Sequence, residues 1–263
     1  MTKKHGAMDK KIKILAICGS PKRGNTHDIL KVLKESNPAI DFKILMLSEY
    51  NLMDCVGCYS CVNQGEENCP LKDDRDTILD EMIASDGTIF ASPTYARTIS
   101  ALMKKFVERT SYIAHRPVFF GKYAMALATC AGFGADLTCK YLKENFTQCG
   151  FSFVDSLELK TATNSDAENA HNHQKALKAY ERLLHAIKTH EKFEPTLGQL
   201  IYFNIFKSIS VWNKTKGWAD YSFYKDKEDF YYDIKIPIVK NKIAKWIAAR
   251  EIKKMKANKL HRP

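Results

Sequence analysis

The chain has 263 residues, of which 45% are hydrophobic, so it is long enough to bury a core as one domain with an extension. It contains no apolar run of about 18 residues, which argues against a membrane span, and no apolar signal segment follows the charged N-terminus. The formal net charge is +11, but nine basic residues against a single acid lie within 240–263. The eight cysteines, in a chain expected to be cytoplasmic, indicate metal binding, redox chemistry or burial rather than disulfides.

The first predicted element is a buried strand that leads through glycines into a helix. Residues 13–18 form an apolar run of strand length, and 26–36 have helical amphipathicity. A strand that enters a helix through such a loop presents backbone N–H groups to anions. The spacing of Gly19 and Gly24 is that of a nucleotide-triphosphatase loop, but Asn25 replaces the required lysine, and the dinucleotide pattern is absent. The loop therefore favours a single terminal phosphate, as in FMN, over an ordinary strand-to-helix turn. The candidate phosphate-binding residues are Ser20, Lys22, Arg23, Asn25 and Thr26.

Strand-like and helix-like patterns then alternate as far as residue 190. Further strands are predicted at 42–47, 87–91, 123–129 and 151–159, and further helices at 73–85, 100–110, 135–149 and 167–190. Asp73 or Asp74 is expected to cap the helix that begins there. This alternation predicts the α/β class, with a flavodoxin-like, doubly wound, five-stranded parallel sheet and helices on both faces. In such folds, ligands bind beyond the carboxyl ends of the strands.

Two later loops, each at the carboxyl end of a predicted strand, have residues suited to ligand binding. The third strand is followed by a proline that stiffens the turn and a tyrosine that offers a flat face to an aromatic ring. The fourth strand is followed by two glycines, which let the backbone approach a planar ligand closely. These loops supply the remaining candidate ligand contacts, which are Pro93, Thr94, Tyr95 and Ala96 from the first of them and Thr129, Ala131, Gly132 and Gly134 from the second.

A loop at about 50–72 carries four closely spaced cysteines. Cys55, Cys58, Cys61 and Cys69 follow the spacing C-x2-C-x2-C-x7-C, and four soft thiolates can ligate a [4Fe–4S] cluster. Zinc fits less well, because two pairs that share a middle cysteine are awkward for a tetrahedral site. Reduced thiols without any metal are the third interpretation. The other four cysteines are expected to be buried packing residues, with Cys130 near the ring.

Taken together, these motifs resemble a known family. The segments GSPKRGNT, C-x2-C-x2-C, DD and ASPTY, with the helix segment at 104–109, are similar to the NADPH-dependent FMN reductase family of flavodoxin-like proteins, and most similar to its iron–sulfur flavoprotein branch. The resemblance covers about 11–190. It implies non-covalent FMN, with its phosphate at 20–26 and its isoalloxazine ring against 93–96 and 129–134. It also implies a homodimer or tetramer in which a neighbouring subunit helps to cover the flavin.

The expected function is FMN-dependent electron transfer from NAD(P)H, or from a reduced carrier, to a small acceptor such as a quinone or flavin. No catalytic side chain is assigned, because the flavin itself supplies the reactive atom. The alternative is a flavin and iron–sulfur electron carrier without a small-molecule substrate. The sequence leaves the acceptor and the choice between NADH and NADPH open.

The predicted organisation is an FMN-binding domain at 11–190 and a C-terminal extension at 191–263. The extension is rich in aromatic residues and is expected to be largely helical. Its aromatic residues are too many to leave exposed, so packing on the domain or on a neighbouring subunit is favoured over contact with a membrane surface. Nucleic acid is not an expected partner.

Overall fold

The computed structural model describes residues 11–212 and 214–257. The strands are β1 (Lys13–Cys18), β2 (Asp41–Met46), β3 (Gly87–Tyr95), β4 (Thr98–Ile99), β5 (Tyr123–Cys130) and β6 (Ser152–Lys160). The helices are α1 (Asn25–Ser36), α2 (Ser60–Asn63), α3 (Arg75–Ala84), α4 (Ala101–Thr110), α5 (Ala135–Gln148), α6 (Asp166–Thr189), α7 (Leu197–Trp212), α8 (Ala219–Tyr224) and α9 (Ile238–Ala257). No helix within these ranges is long and apolar enough to cross a membrane.

The parallel part of the sheet has the strand order β2-β1-β3-β5-β6, which is the flavodoxin-like order. The predicted fold class is therefore confirmed, but the expected strand count of five is wrong, because the sheet has six strands among the residues that the structure describes. The additional strand, β4, pairs antiparallel with the end of β3. The two are joined by Ala96 and Arg97, whose φ angles are +47° and +69°. A two-residue turn with positive φ at both positions is typical of a tight hairpin, but neither residue is the glycine or asparagine that would predict one.

The side chains of β1 alternate between two hydrophobic layers. Leu15 and Ile17 pack with the layer that includes Phe90 and Phe106, whereas Ile14 and Ala16 pack on the opposite face. A strand that is buried on both faces reads as a continuous apolar run. This is why residues 13–18 predicted the strand directly.

The extension forms a third hydrophobic cluster. Leu200, Phe203, Tyr224 and Phe230 are buried in it, and Phe120, from the loop before β5, packs against them. The prediction of a helical C-terminal region is thus confirmed, whereas the division of the chain at 190 stays a prediction. Residues 213 and 258–263 of the predicted extension lie outside the described residues.

Candidate cofactor site

The loop between β1 and α1 is anchored by its first glycine. The Gly19 N–H donates to the Ala91 carbonyl at 2.8 Å, and the Ser100 hydroxyl donates to the Gly19 carbonyl at 2.6 Å. A Cβ atom on Gly19 would lie 2.7 Å from the Cβ of Met103, closer than packed carbon atoms tolerate. Gly19 therefore lets the loop lie against the end of β3 and the start of α4.

The start of α1 presents unused backbone donors. The first helical hydrogen bond runs from the Asp28 N–H to the Gly24 carbonyl at 2.9 Å. Within the described part of the chain, the N–H groups of Asn25, Thr26 and His27 have no hydrogen-bond acceptor, as expected for the first turn of a helix. Such N–H groups, together with the helix dipole, form an anion site. The backbone at the predicted position thus fits the phosphate of FMN.

The predicted side chains of this loop divide into two groups. Thr26 is buried, and its hydroxyl lies 2.6 Å from the Thr129 hydroxyl, which joins the loop after β1 to the end of β5. Lys22 and Asn25 are exposed. Arg23 is also exposed and is paired with Glu49 at 2.9 Å. The buried Ser20 hydroxyl donates to the loop itself, at the Lys22 carbonyl. The backbone of α1 is therefore the main fixed donor to an anion.

The other two predicted loops are held against each other at the same edge of the sheet. Gly134 has a φ of +96°, and a Cβ atom there would lie 2.8 Å from both the Cα and the carbonyl oxygen of Arg97. The Thr94 and Thr138 hydroxyls, 3.0 Å apart, form a second link between β3 and α5. With the Thr26–Thr129 contact, these links bring all three loops together.

Two large aromatic side chains are exposed at this edge. Tyr95, at the end of β3, is 48% exposed, and Phe133, between the two glycines of the third loop, is 89% exposed. Exposed rings beside an anion site suit a flat aromatic ligand. Tyr95 was predicted as a ligand contact. Phe133 lay within the range 129–134 implied for the ring but was not named as a contact, and Arg97 was not predicted. A large apolar residue between two glycines was the available signal for Phe133.

A cavity of about 530 Å³ opens beside the third loop. Its walls come from the ends of β5 and β6 and the start of α6, and include Gly132, Phe133, Lys160 and Asn172. No residue of the loop at 20–26 lines it. The cavity therefore adjoins the predicted ring position and is separate from the predicted phosphate position.

The four loop cysteines differ in exposure. Cys55 and Cys58 are exposed, Cys61 is partly buried and Cys69 is buried. Within the described ranges, no three or more His, Cys, Asp or Glu side chains are arranged to hold a metal ion, so the cluster stays a prediction. The thiols nevertheless affect one another, because burial, together with the charges of Cys69, Cys55 and Cys58, raises the pKa of Cys61. Four thiols on one loop are the donor set that a [4Fe–4S] cluster requires.

A buried ion pair supports the last of these cysteines. Arg109 donates from Nη1 to the Cys69 Sγ at 3.2 Å and from Nη2 to Asp73 at 2.9 Å. Burial opposes ionisation of Cys69, but hydrogen bonds with Arg109 and with the Leu71 backbone, together with the charge of Arg109, lower the thiol pKa overall. A lowered thiol pKa favours the thiolate that ligates metals. This arginine is a site residue that was not predicted from the sequence.

The expectation that Asp73 or Asp74 caps α3 is confirmed for the position of Asp74, whereas Asp73 has a further role. Asp74 occupies the cap position of α3 but makes no side-chain capping hydrogen bond. Asp73 instead pairs with Arg109, and its side chain is only 1% exposed. Its oxygens also accept hydrogen bonds from the N–H groups of Met53 and Arg75. The bond from Arg75 is local, since Arg75 is the first residue of α3, but Met53 and Arg109 lie 20 and 36 residues away, and local helix signals could not reveal them.

The remaining four cysteines are buried, as the sequence predicted. Burial raises the pKa of Cys18 to about 11 and that of both Cys139 and Cys149 to about 12. Thiols with such raised pKa values are unreactive at neutral pH. They belong to the packing of the domain.

Comparison with known proteins gives one family match. The model of the family described as NADPH-dependent FMN reductase matches residues 12–166. An iron–sulfur flavoprotein of Clostridioides difficile is 27% identical over 202 residues, which cover 74% of this chain and 88% of that protein. An iron–sulfur flavoprotein of Archaeoglobus fulgidus is 35% identical over 126 residues, which cover 47% of this chain and 56% of that protein. The chain thus spans little more than half of the Archaeoglobus relative.

The fold is also found in a solved flavodoxin-like neighbour. An NAD(P)H:quinone oxidoreductase from Methanothermobacter marburgensis superposes with a TM-score of 0.53 and 16% identity. The superposition covers 67% of this chain and 98% of that one. At this identity the likeness concerns the fold alone.

Proposed function

This chain belongs to the NADPH-dependent FMN reductase family, and on that premise we propose that it is an FMN-dependent oxidoreductase. In this proposal it transfers electrons from NAD(P)H, or from a reduced carrier, to a small acceptor such as a quinone or flavin. The observation that carries the proposal is the meeting of three loops at one edge of the sheet around the free N–H groups of α1. Bound there, FMN would supply a redox centre that accepts a hydride.

The residues of the chain then have separate tasks. The N–H groups of Asn25 and Thr26 would hold the phosphate, and Lys22 would add positive charge at the rim. Ser20 and Thr26 keep the loop in shape through their hydroxyl contacts. Because the flavin carries the reaction itself, no side chain is assigned as an acid or base.

The flavin ring would lie against the two later loops. Pro93, Thr94, Tyr95 and Ala96 form one side of that position, and Thr129, Ala131, Gly132 and Gly134 form the other. We add Phe133 to this set, because an aromatic side chain that is 89% exposed beside the other loops is available for stacking. The cavity beside Gly132 gives a second molecule access to the ring position.

Binding at α1 can be tested with one matched pair of variants. Asn25→Asp places a carboxylate at the start of the helix, where it would repel the phosphate but favour the helix dipole. We expect FMN affinity to fall by about tenfold or more while the apo-protein keeps its stability. Asn37→Asp makes the same change at the other end of α1 and should bind FMN like the unmodified protein. Equal affinity of Asn25→Asp and Asn37→Asp for FMN would contradict the proposed phosphate position.

The redox function needs a separate measurement. Anaerobic stopped-flow absorption would follow bleaching of the flavin bands after mixing the FMN-loaded protein with NADH, with NADPH or with a reduced ferredoxin. Turnover of either nicotinamide with a quinone or free flavin as acceptor supports the reductase. Fast reduction by ferredoxin alone, without nicotinamide turnover, supports the carrier instead.

The cysteine loop is the reason to keep the carrier as a second candidate. In this proposal Cys55, Cys58, Cys61 and Cys69 hold a [4Fe–4S] cluster, which would supply a one-electron centre. Its support is the lowered thiol pKa of Cys69 beside Arg109, and that of Cys58, which is lowered first by its hydrogen bond with Ser60. Iron and acid-labile sulfide assays on anaerobically purified protein decide the point, with about four irons per chain expected.

Location and assembly complete the proposal. All eight cysteines are free, and a reducing compartment such as the cytoplasm keeps thiols in that state. We propose a homodimer or tetramer, in which a neighbouring subunit covers the exposed Tyr95 and Phe133. Sedimentation analysis of the FMN-loaded protein tests this assembly.

A further inference from the structure

One buried arginine joins the cysteine loop to the C-terminal extension. Arg116 follows a short 3₁₀ turn at Ser111–Ala114 and is only 8% exposed. On one side, its guanidinium donates to the carbonyls of Cys61 at 2.5 Å and Val62 at 3.0 Å. On the other side, it donates to the Asp220 carboxylate in α8 at 2.5 Å. Its Nη2 atom also donates to the Glu66 carboxylate of the cysteine loop at 3.1 Å. Few side chains have the geometry to satisfy four such acceptors at once.

Two residues of α8 in the extension hold this arginine and the residue before it. Asp220 is buried, and its second carboxylate oxygen lies 3.0 Å from the Nδ1 atom of His115. Tyr224, at the end of α8, donates its hydroxyl to the His115 carbonyl at 2.6 Å. Because α8 holds both the side chain of Arg116 and the residue before it, the position of the guanidinium depends on the extension.

The segment that receives these hydrogen bonds is too short to be stable without contacts to the rest of the chain. The helix α2 has four residues, which is too short to be stable alone. The residue before it, Tyr59, has a φ of +59°, an unfavourable conformation for a non-glycine residue. Such backbone persists only where its surroundings determine it. Val62, which is buried in the domain core, supplies part of that determination. Arg116 supplies another part at the Cys61 and Val62 carbonyls, where a cation also favours the end of a helix.

We infer that the extension positions the cysteine loop through Asp220 and Arg116, which are positioning residues for Cys61. The inference rests on the proposed function only where it treats Cys61 as a cluster ligand. The positioning of the cysteine loop itself can be tested on the Cys61 thiol in the protein without cofactors. The extension is then a support for a redox site that lies more than 100 residues earlier in the chain, and not a separate binding module.

The first test measures the reactivity of each thiol in the full-length protein without cofactors. Asp220→Ala removes the acceptor from Arg116, and Asp220→Asn keeps an acceptor without the charge. We expect N-ethylmaleimide to modify Cys61 about tenfold faster in Asp220→Ala, because losing a charge-assisted hydrogen bond increases local opening by about that factor. The effect in Asp220→Asn should be smaller. Mass spectrometry of digested samples gives the rate for every cysteine.

Internal and external controls separate loop positioning from general destabilisation. Cys139 and Cys149 are buried in the domain core and should keep their slow rates in every variant. Asp229→Asn removes an exposed ion pair with Lys245 within the extension and should leave the Cys61 rate unchanged. An unchanged Cys61 rate in Asp220→Ala would overturn the inference. So would a parallel rise at Cys139 and Cys149, since that pattern reports unfolding of the whole protein.

The second test uses protein reconstituted anaerobically with iron and sulfide. We expect Asp220→Ala to release iron to a chelator about tenfold faster than Asp229→Asn does, because Cys61 is no longer held. Equal release rates in the two variants would overturn the role of Asp220 at the cluster. If the unmodified protein takes up no iron, the cluster proposal fails, and the thiol rates still decide whether the extension positions Cys61.

Discussion

Replacing Gly134 with alanine is the sharpest test of how the candidate site is built. Gly134 lies at the start of α5 with a φ of +96°, and the backbone of Arg97 occupies the space where a Cβ atom would be. Both facts disfavour any side chain at this position. They also imply that Gly134 lets the loop after β5 pack against the loop after β3. This role is additional to any contact between the backbone of Gly134 and a ligand.

The size of the effect follows from two contributions. A positive φ costs an L-residue about 1–2 kcal/mol relative to glycine. An overlap at 2.8 Å with backbone atoms resembles overpacking, which destabilises by about 1–3 kcal/mol. Together they predict that Gly134→Ala lowers the free energy of unfolding by about 2–5 kcal/mol. If the turn at Ala96 and Arg97 moves to relieve the overlap, the stability loss is smaller and FMN binding weakens instead.

Gly132→Ala is the matched control, because no atom of the described residues, apart from its chain neighbours, lies within 4 Å of the Cβ that it would add. Its unfolding free energy should stay within about 0.5 kcal/mol of the unmodified protein. Urea unfolding of both variants without cofactor, followed by FMN titration monitored by flavin fluorescence, separates the two glycines. If Gly134→Ala matches Gly132→Ala in both stability and affinity, the reasoning is refuted. Weaker FMN binding by Gly132→Ala at unchanged stability would indicate that the backbone of Gly132 contacts the ligand.

Three further predictions concern contacts that the structure defines. Thr26→Val leaves the buried Thr129 hydroxyl without its partner at 2.6 Å, so we expect a loss of about 1–2 kcal/mol in unfolding free energy, much of it regained by Thr26→Ser. Although burial raises the pKa of Asp73, hydrogen bonds led by that from Arg109 lower it overall. The unmodified protein should therefore be more stable than Asp73→Asn at neutral pH and lose that advantage as the pH falls below about 4; equal acid unfolding curves would contradict the pair. Arg97→Gly removes the strain of a φ of +69° and should raise the free energy of unfolding, measured by urea denaturation, by about 1 kcal/mol.

Most of the parallel sheet was predictable because its signals are local. The apolar run at 13–18 belongs to a strand buried on both faces, and the loop after it combines glycines with the start of an amphipathic helix. The hairpin from β3 to β4 was not predictable, since Ala96 and Arg97 adopt positive φ without a glycine or asparagine. The backbone of Arg97 also lies against Gly134 in another loop, and local sequence does not show that contact.

The polar contacts around the cysteine loop could not be predicted from the sequence, for a related reason. Arg109 reaches back 36 residues to Asp73 and 40 residues to Cys69. In a helical pattern it reads as an ordinary polar residue at the end of α4. Ion pairs between distant segments leave no periodicity in the sequence, so helix capping was the simplest interpretation of Asp73.

Contacts across the predicted boundary at residue 190 join the extension to the domain before it. Hydrophobic periodicity stops being regular after α6, and the aromatic residues beyond it suggested an arm that could pack in several places. In the structure, Phe120 packs into the cluster of the extension, and Arg116 has its buried carboxylate partner there. Removing the buried partner of an ion pair is destabilising when the charge that remains is poorly compensated. A cut at 190 would remove Asp220 and leave Arg116 with Glu66, whose side chain is half exposed, as its remaining carboxylate partner. The extension is therefore an element that supports the cysteine loop, and a cut at 190 would not separate two independent units.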